Sequence, residues 1–147
     1  MRRLAVPWTG LLLLFAACGG GGSSDGPPEI RYGLEECSYC RMIVSEERFA
    51  AALTAGTGRA VFDDVGCLVS YLGERQVADP AIWVHDHAAR GWLRASGAWF
   101  VRDPAGGTPM GSGLVAFAER SAAEAFAGGR GVEVLSWDQL SSRAATP

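Results

Sequence analysis

Residues 49–72 have the sequence FAAALTAGTGRAVFDDVGCLVSYL, in which a hairpin pattern of apolar residues gives way to a helical one. Two short apolar runs, at residues 49–54 and 59–64, flank a Gly-Thr-Gly turn, which predicts a β-hairpin. In residues 65–72 the apolar side chains recur at helical spacing. Asp64 stands directly before them, where a helix N-cap is expected. The stretch therefore predicts two strands followed by a helix.

The order strand, strand, helix, strand occurs twice along the chain. The first copy ends with the apolar run at residues 81–85. The second copy has strand patterns at residues 98–102, 114–118 and 132–137 and a helical pattern at residues 121–127. Ser121, followed by Glu124, predicts a capping box at the start of that helix. We predict an α+β fold of two related ββαβ halves with mainly antiparallel sheets, packed together because each half is too small for a large core.

Composition divides the 147 residues into a leader, a linker and one folded region. We predict a lipoprotein signal peptide at 1–17, a lipidated cysteine and flexible linker at 18–28, a first half at 29–95, a second half at 96–140 and a disordered tail at 141–147. After the last predicted strand, which ends at residue 137, we expect a short turn and then the tail.

The charge balance argues against a nucleic-acid partner. The chain has 13 basic residues, all of them arginine, and 16 acidic residues, for a net charge of −3. Without the leader, which contains two arginines, 11 basic and 16 acidic residues leave −5. A nucleic-acid-binding protein usually carries a basic patch. The sequence also shows neither a nucleophile paired with a base nor a phosphate-binding glycine loop, which argues against hydrolase and nucleotide-binding roles. We predict that the protein is not an enzyme.

The leader predicts export and membrane anchoring. Two arginines are followed by an apolar run at residues 4–17, which is too short to span a bilayer comfortably. The run ends in Ala16-Ala17-Cys18, and small residues directly before a cysteine resemble the lipobox of bacterial lipoproteins. We therefore expect lipid attachment at Cys18 and a location outside the cytoplasm, on the periplasmic side in a Gram-negative cell. The alternative is an ordinary signal peptide followed by a chance cysteine.

The strongest chemical signal is CSYCRM at residues 37–42. A Cys-x-x-Cys pair alone is compatible with a zinc site, a redox disulfide or a soft-metal site. Met42 favours the soft-metal interpretation, because a thioether is a poor zinc ligand and suits Cu(I). The sequence therefore predicts a Cu(I) site at Cys37, Cys40 and Met42. The alternative is a structural disulfide, with Met42 the first core residue of a strand at residues 42–44.

Four further residues are candidate ligands. Met110 lies in a Gly- and Pro-rich loop, where a large apolar side chain has little reason to be, so it is either a ligand or wall of the site or half-buried packing. His85 at the end of a predicted strand is a possible third ligand, and His87 is a weaker one. Cys67 in the predicted helix is also a weaker candidate, because a cysteine on an apolar helix face is usually a small buried hydrophobic residue.

Several of these segments together resemble the NosL family, the copper-binding lipoproteins that accompany nitrous oxide reductase. They are a lipoprotein signal, Cys-x-x-Cys-x-Met at 37–42, FDDVGC at 62–67, VHD at 84–86 with Trp92, Ala98, TPMG at 108–111 and AF at 116–117. The resemblance implies Cu(I) binding, donation of copper to the reductase and a fold of two related ββαβ-type halves. The family commonly has Gly at the position of Arg41.

We predict a membrane-anchored extracytoplasmic Cu(I) metallochaperone that delivers copper to nitrous oxide reductase. Its partner would be that copper-accepting reductase or a copper-handling membrane complex. Two other functions remain open on the sequence. One is a thiol–disulfide oxidoreductase that uses Cys37 and Cys40. The other is a structural zinc or disulfide module that presents a surface to a partner.

Overall fold

A computed structural model of the chain describes residues 26–144. The predicted leader, Cys18 and most of the predicted linker lie outside the described residues, as do residues 145–147. Within the described part, no helix is both long enough and apolar enough to cross a membrane.

The first half forms a four-stranded antiparallel sheet with one helix. Its elements are β1 (Ala51–Ala55), β2 (Gly58–Phe62), α1 (Val65–Glu74), β3 (Ala81–His85) and β4 (Trp92–Arg94). The strand order is β2-β1-β3-β4. The predicted hairpin, helix and third strand are present, although β2 ends at Phe62 because the next two residues turn into the helix. The short strand β4 was not predicted.

The second half repeats the topology of the first. Its elements are β5 (Trp99–Arg102), β6 (Leu114–Phe117), α2 (Arg120–Ala127), β7 (Val134–Ser136) and α3 (Trp137–Ala144). The sheet order is β6-β5-β7, with antiparallel pairs throughout. In both halves the first strand lies between the other two of its ββαβ unit. The predicted α+β fold of two related ββαβ halves is therefore confirmed.

The two halves share a core. The end of the first sheet meets β6 of the second through a parallel bridge between Asp86 and Ala116 and a hydrogen bond of 2.8 Å from the His87 N–H to the Ala116 carbonyl. Helix α1 contacts both α3 and β6. The larger hydrophobic cluster contains buried residues from both halves, among them Phe62 and Phe100. A smaller cluster lies under α2, on the other face of the second sheet.

Helix boundaries in the second half differ from the predictions. The predicted capping box at Ser121 is wrong, because α2 begins one residue earlier and Glu124 forms an ion pair with Arg120 instead. A capping box does form where none was predicted. The Gln139 N–H donates to the Ser136 hydroxyl at 3.3 Å, and the Gln139 side-chain oxygen accepts from the Ser136 N–H at 2.8 Å.

Residues 137–144 therefore form helix α3, and the prediction of a short turn followed by a tail from residue 141 is wrong for residues 141–144. Leu140 on this helix is buried in the shared core, which holds the segment in place. The strand expected at residues 42–44 is reduced to a single bridge between Ile43 and Glu36.

Candidate metal centre

The Cys-x-x-Cys-x-Met segment folds as a tight loop. The Cys37 N–H donates to the Met42 carbonyl at 2.7 Å, and the Arg41 N–H donates to the Cys37 carbonyl at 3.1 Å. Closing the loop requires a left-handed backbone at Arg41, whose φ is +68°. That conformation favours glycine. Arg41 adopts this geometry while its side chain pairs with Glu36.

Two contacts attach the loop to the first half. The Ser38 N–H donates to the Val61 carbonyl at 2.8 Å, and the Val61 N–H donates back to the Ser38 hydroxyl at 3.2 Å. The Tyr39 hydroxyl donates to the Glu74 carboxylate at the end of α1 at 2.9 Å. The loop is therefore fixed between the end of β2 and helix α1, with its cysteines facing the start of that helix.

Three thiols meet at this place. The sulfur atoms of Cys37, Cys40 and Cys67 all lie within 4.8 Å of one another, and all three are free cysteines. Cys37 and Cys67 are buried, and Cys40 is partly exposed. Metal–sulfur bonds of about 2.3 Å allow one ion to reach sulfurs about 4.6 Å apart, so little rearrangement is needed. Cys67, the weaker candidate in the sequence, is brought to the other two by α1.

Hydrogen bonds favour a thiolate at Cys37. Its pKa is lowered to about 5, chiefly because the Cys67 thiol donates a hydrogen bond to its sulfur, with help from the backbone N–H groups of Cys40, Asp63 and Tyr39. The pKa of Cys67 is raised, because losing its proton would remove that bond and place a second negative charge beside the first. Burial raises the pKa of Cys40. Of the three thiols, Cys37 is therefore the one that loses its proton most readily.

Asp64 connects the cysteine-bearing helix to the Gly- and Pro-rich loop of the second half. Its Oδ1 accepts from the Cys67 N–H at 2.9 Å and caps α1, as the sequence predicted. Its Oδ2 accepts from the Ser112 hydroxyl at 2.9 Å and from the Met110 N–H at 3.3 Å. Gly66 allows this approach, because a Cβ there would lie 2.3 Å from the Ser112 Cβ. No sequence signal pointed to Ser112.

The hydrogen bond from the Met110 N–H to Asp64 holds Met110 in the wall of a cavity that Cys40 and Cys67 also line. The residues that line an open cavity of about 240 Å³ include Cys40, Cys67, Arg102 and Met110. The Met110 side chain is 42% exposed. Met42 is 57% exposed and is not among the residues that line this cavity. Met110 thus shares a cavity with Cys40 and Cys67, whereas Met42, whose backbone N–H donates to the Cys40 sulfur, has an exposed side chain that does not line that cavity.

His85 lies in the core, away from the thiols. It is buried, its Nε2 is 3.3 Å from the Tyr32 hydroxyl, and its ring packs on Trp92 with 3.9 Å between centroids. Burial lowers its pKa, so the ring is neutral near pH 7. Within residues 26–144 the three cysteines are the one group of three or more Cys, His, Asp or Glu ligand atoms close enough to share an ion, and His85 is not in it.

His87 lies in a second, aromatic environment. Its ring packs against Phe49, Phe117 and Phe126, and its Nε2 is 3.4 Å from the Arg48 guanidinium. Burial and the nearby arginine lower its pKa. It lines a different cavity, of about 370 Å³, that contains none of the cysteines. The structure therefore does not bring His87 to the thiol cluster.

Asp63 lies beside the site without entering the thiol group. Its side chain is buried, one carboxylate oxygen has no hydrogen-bond partner among the described residues, and burial raises its pKa. Its backbone N–H contributes to the low pKa of Cys37. The acidic pair at residues 63 and 64 thus shapes the site through a backbone donor and a helix cap.

Comparison with known proteins agrees with this architecture. A solved structure, described as the copper chaperone NosL from Shewanella denitrificans, superposes with a TM-score of 0.63 at 24% identity. The match covers 77% of this chain and 96% of that one, and at this identity it shows a shared fold. No functionally curated protein matches the sequence. The sequence model of the family described as NosL matches residues 32–145, which is most of the chain. The chain therefore belongs to the NosL family.

Proposed function

We propose that this protein binds one Cu(I) ion at Cys37, Cys40 and Cys67 and passes it to an acceptor. The observation that carries the proposal is the convergence of three sulfur atoms within 4.8 Å, two buried and one partly exposed. Thiolate and thioether donors select soft ions such as Cu(I), and no carboxylate or imidazole completes the described group. The similarity to a protein described as a copper chaperone supports copper as the metal.

The geometry suits release of the ion as well as capture. Cys40 lies on the open side of the cluster, and Met110 lines the same cavity. An incoming sulfur or nitrogen donor from an acceptor can reach the ion there before an outgoing ligand leaves. Cys37 and Cys67 stay buried beneath and hold the ion until exchange is complete. A closed four-cysteine zinc site would offer no such opening.

We further propose that the protein works outside the cytoplasm, anchored to a bacterial membrane by lipid at Cys18. The small residues before Cys18 and the Gly/Ser-rich stretch after it support this placement. The recipient is the copper site of nitrous oxide reductase, or a membrane complex that handles copper for it. Membership of the NosL family supports that choice.

The burial of Cys37 argues against the oxidoreductase. A dithiol enzyme needs an exposed thiolate that can attack a protein disulfide. Here the thiol with the lowered pKa is fully buried, and the partly exposed Cys40 has a raised pKa. The structural zinc module predicts zinc instead of copper in the purified protein, so metal analysis distinguishes it from the copper chaperone.

Anaerobic Cu(I) titration against a chromophoric chelator, combined with X-ray absorption, tests copper binding. We expect one ion per chain with two or three sulfur neighbours. Cys40→Ser and Cys67→Ser should each weaken binding strongly, and Cys18→Ser, the matched control, should leave it unchanged. Oxygen neighbours alone, zinc without copper in the isolated protein, or equal affinity in all variants would refute the site.

Two further measurements test placement and delivery. Mass spectrometry of the membrane fraction should find acyl chains on Cys18, and Cys18→Ser should release the protein. Copper-loaded protein should transfer its ion to copper-free reductase faster than an equal concentration of chelated Cu(I) does. A soluble product that begins after Cys18 would exclude the anchor, and transfer no faster than from the chelate would exclude direct delivery.

A further inference from the structure

Arg102, the last residue of β5, lines two adjoining cavities. One is the cavity of about 240 Å³ that Cys40 and Cys67 line, which we call the thiol cavity. The other, of about 290 Å³, lies beside α3 and has Leu135 and Leu140 in its wall. Val69 also lines both, so the two cavities meet at Val69 and Arg102. A surface that covers the thiol cavity therefore also lies against Arg102.

Arg102 carries a positive charge that no carboxylate of residues 26–144 balances through a salt bridge. Its side chain is exposed, and its guanidinium donates only a long hydrogen bond of 3.5 Å to the Ser112 carbonyl. Arg143, which lines the second cavity, differs in this respect, because it binds both carboxylate oxygens of Glu133 at 2.8 and 3.1 Å. The guanidinium of Arg102 thus keeps hydrogen-bond donors for a molecule that reaches the thiol cavity.

Asp64 is the other charged residue that lines the thiol cavity, and it does not serve as the partner of Arg102. Its side chain is fully buried, and its two carboxylate oxygens accept three hydrogen bonds from helix α1 and from the loop of the second half. Those donors use the carboxylate within the protein. The charge that remains exposed to solvent in the lining of the thiol cavity is therefore that of Arg102.

Ligand exchange at Cys40 brings the surface of an acceptor against Arg102 and removes water from its guanidinium. A charged group that loses its water without gaining an ionic partner destabilises a complex. A carboxylate replaces that water with two parallel hydrogen bonds, which match the planar fork of arginine. The apolar wall at Leu135 and Leu140 strengthens the effect, because charges interact more strongly in an environment of low dielectric constant.

We propose that Arg102 selects acceptor proteins that present a carboxylate beside their copper ligands, and that it binds this carboxylate as the incoming ligand enters beside Cys40. This inference rests on the proposed function, because it names the partner chemistry of the same site. The net charge of the whole chain is −3, so an acidic acceptor is repelled by the protein in general. A positive charge at the opening directs such an acceptor to the site of exchange.

Stopped-flow absorbance with two synthetic acceptor peptides tests the selection. Both peptides carry the same dimethylphenanthroline group, which becomes coloured when it binds Cu(I). One has three aspartates beside that group, and the other has three lysines. Each is mixed without oxygen with the copper-loaded protein, and the rate constant for the acidic peptide is divided by that for the basic one. Because the copper ligand is the same in both, the ratio reports the charge beside it.

Arg102→Gln should lower this ratio about fivefold or more at low salt, and high salt should reduce the difference from the wild type. Arg102→Lys keeps the charge and should retain most of the ratio, although it cannot form the two parallel hydrogen bonds. Arg48→Gln is the matched control, because it removes the same charge from a cavity that contains no cysteine. It should change the ratio by less than about twofold, since distant charges are screened.

The outcomes separate this inference from the proposed function. An unchanged ratio in Arg102→Gln that still binds Cu(I), or an equal fall in Arg48→Gln, would overturn the selection and leave copper binding intact. Equal slowing of both peptides would show that Arg102 only shapes the opening, which also overturns the selection. So would free acetate that abolishes the preference at constant ionic strength, because the site would then serve small carboxylates. Wild-type protein that binds no Cu(I) would overturn the proposed function and this inference together.

Discussion

Ser112 donates a hydrogen bond of 2.9 Å to the Asp64 carboxylate, and this bond joins the Gly- and Pro-rich loop of the second half to the helix start of the first. The same carboxylate caps α1 at the Cys67 N–H. One buried side chain therefore sets the positions of a cysteine and of the loop that carries Met110. The thiol cavity exists because the two halves are fixed to each other at this point.

Asp64→Asn should keep the cap of helix α1 and weaken the connection between the two halves. Asparagine caps helices as well as aspartate does, but it cannot accept from the Cys67 N–H, the Ser112 hydroxyl and the Met110 N–H together. We expect a loss of about 1–3 kcal/mol in the free energy of unfolding, measured in urea. Asp79→Asn, at an exposed turn with a left-handed backbone, is the control and should change stability by less than about 0.5 kcal/mol. Equal effects would contradict the role of Asp64.

The two exposed methionines should differ in their contribution to copper binding. Met110 lines the cavity with Cys40 and Cys67, and Met42 does not. We expect Met110→Leu to weaken Cu(I) binding about tenfold, in the range typical of residues that support a metal site, and Met42→Leu to leave it nearly unchanged. Competition with a chromophoric chelator measures both. A larger effect of Met42→Leu would favour the original sequence prediction of a Cys37, Cys40 and Met42 site.

Arg41→Gly should stabilise the protein. Arg41 adopts a φ of +68°, and a non-glycine residue in that region costs about 1–3 kcal/mol. Glycine removes this strain but makes the unfolded chain more flexible and loses an exposed ion pair with Glu36, so the net gain should be about 0.5–1 kcal/mol. Arg41→Ala keeps the strain and loses the ion pair, and it should be no more stable than the wild type. Urea unfolding of the three proteins measures the difference, and a less stable Arg41→Gly would refute the argument.

Glu35 should contribute stability that acid removes. Hydrogen bonds from Arg59 and Arg31 hold its pKa at about 2, well below the ordinary 4.5. A lowered pKa in the folded state means that the contribution is complete above pH 4.5 and is lost as the pH falls towards 2. Glu35→Gln should therefore be less stable than the wild type at pH 7, with a difference that shrinks as the pH falls through this window. Thermal unfolding from pH 7 to 2 measures it.

The control for the acid experiment is Glu119→Gln, at an exposed position before α2. Its difference from the wild type should vary little over the same range. A gap between Glu35→Gln and the wild type that stays constant down to pH 2 would show that the Arg59 contact does not depend on ionised Glu35.

Local patterns predicted most of the helices and strands, but they did not predict the helix caps reliably. The hairpin at β1 and β2, the Asp64 cap and the repeated ββαβ order depend on neighbouring residues, so the sequence contained them. Capping boxes were less reliable. The pattern at Ser121 and Glu124 formed no cap, whereas Ser136 and Gln139 formed one that was not predicted. The buried Leu140 explains why that last segment is a helix instead of a tail.

The sequence alone established that Cys37 and Cys40 lie close together, because two intervening residues leave little choice, and that Asp64 begins a helix. It could not place Cys67, which lies 27 residues after Cys40, or Met110, which lies 43 residues after Cys67. Those positions follow from the packing of α1 against the cysteine loop and of the second half against α1 through Asp64. Spacing and periodicity describe only residues that are neighbours along the chain. Only the tertiary structure decides that Cys67 and Met110 join the first two cysteines, because packing is what brings distant residues together.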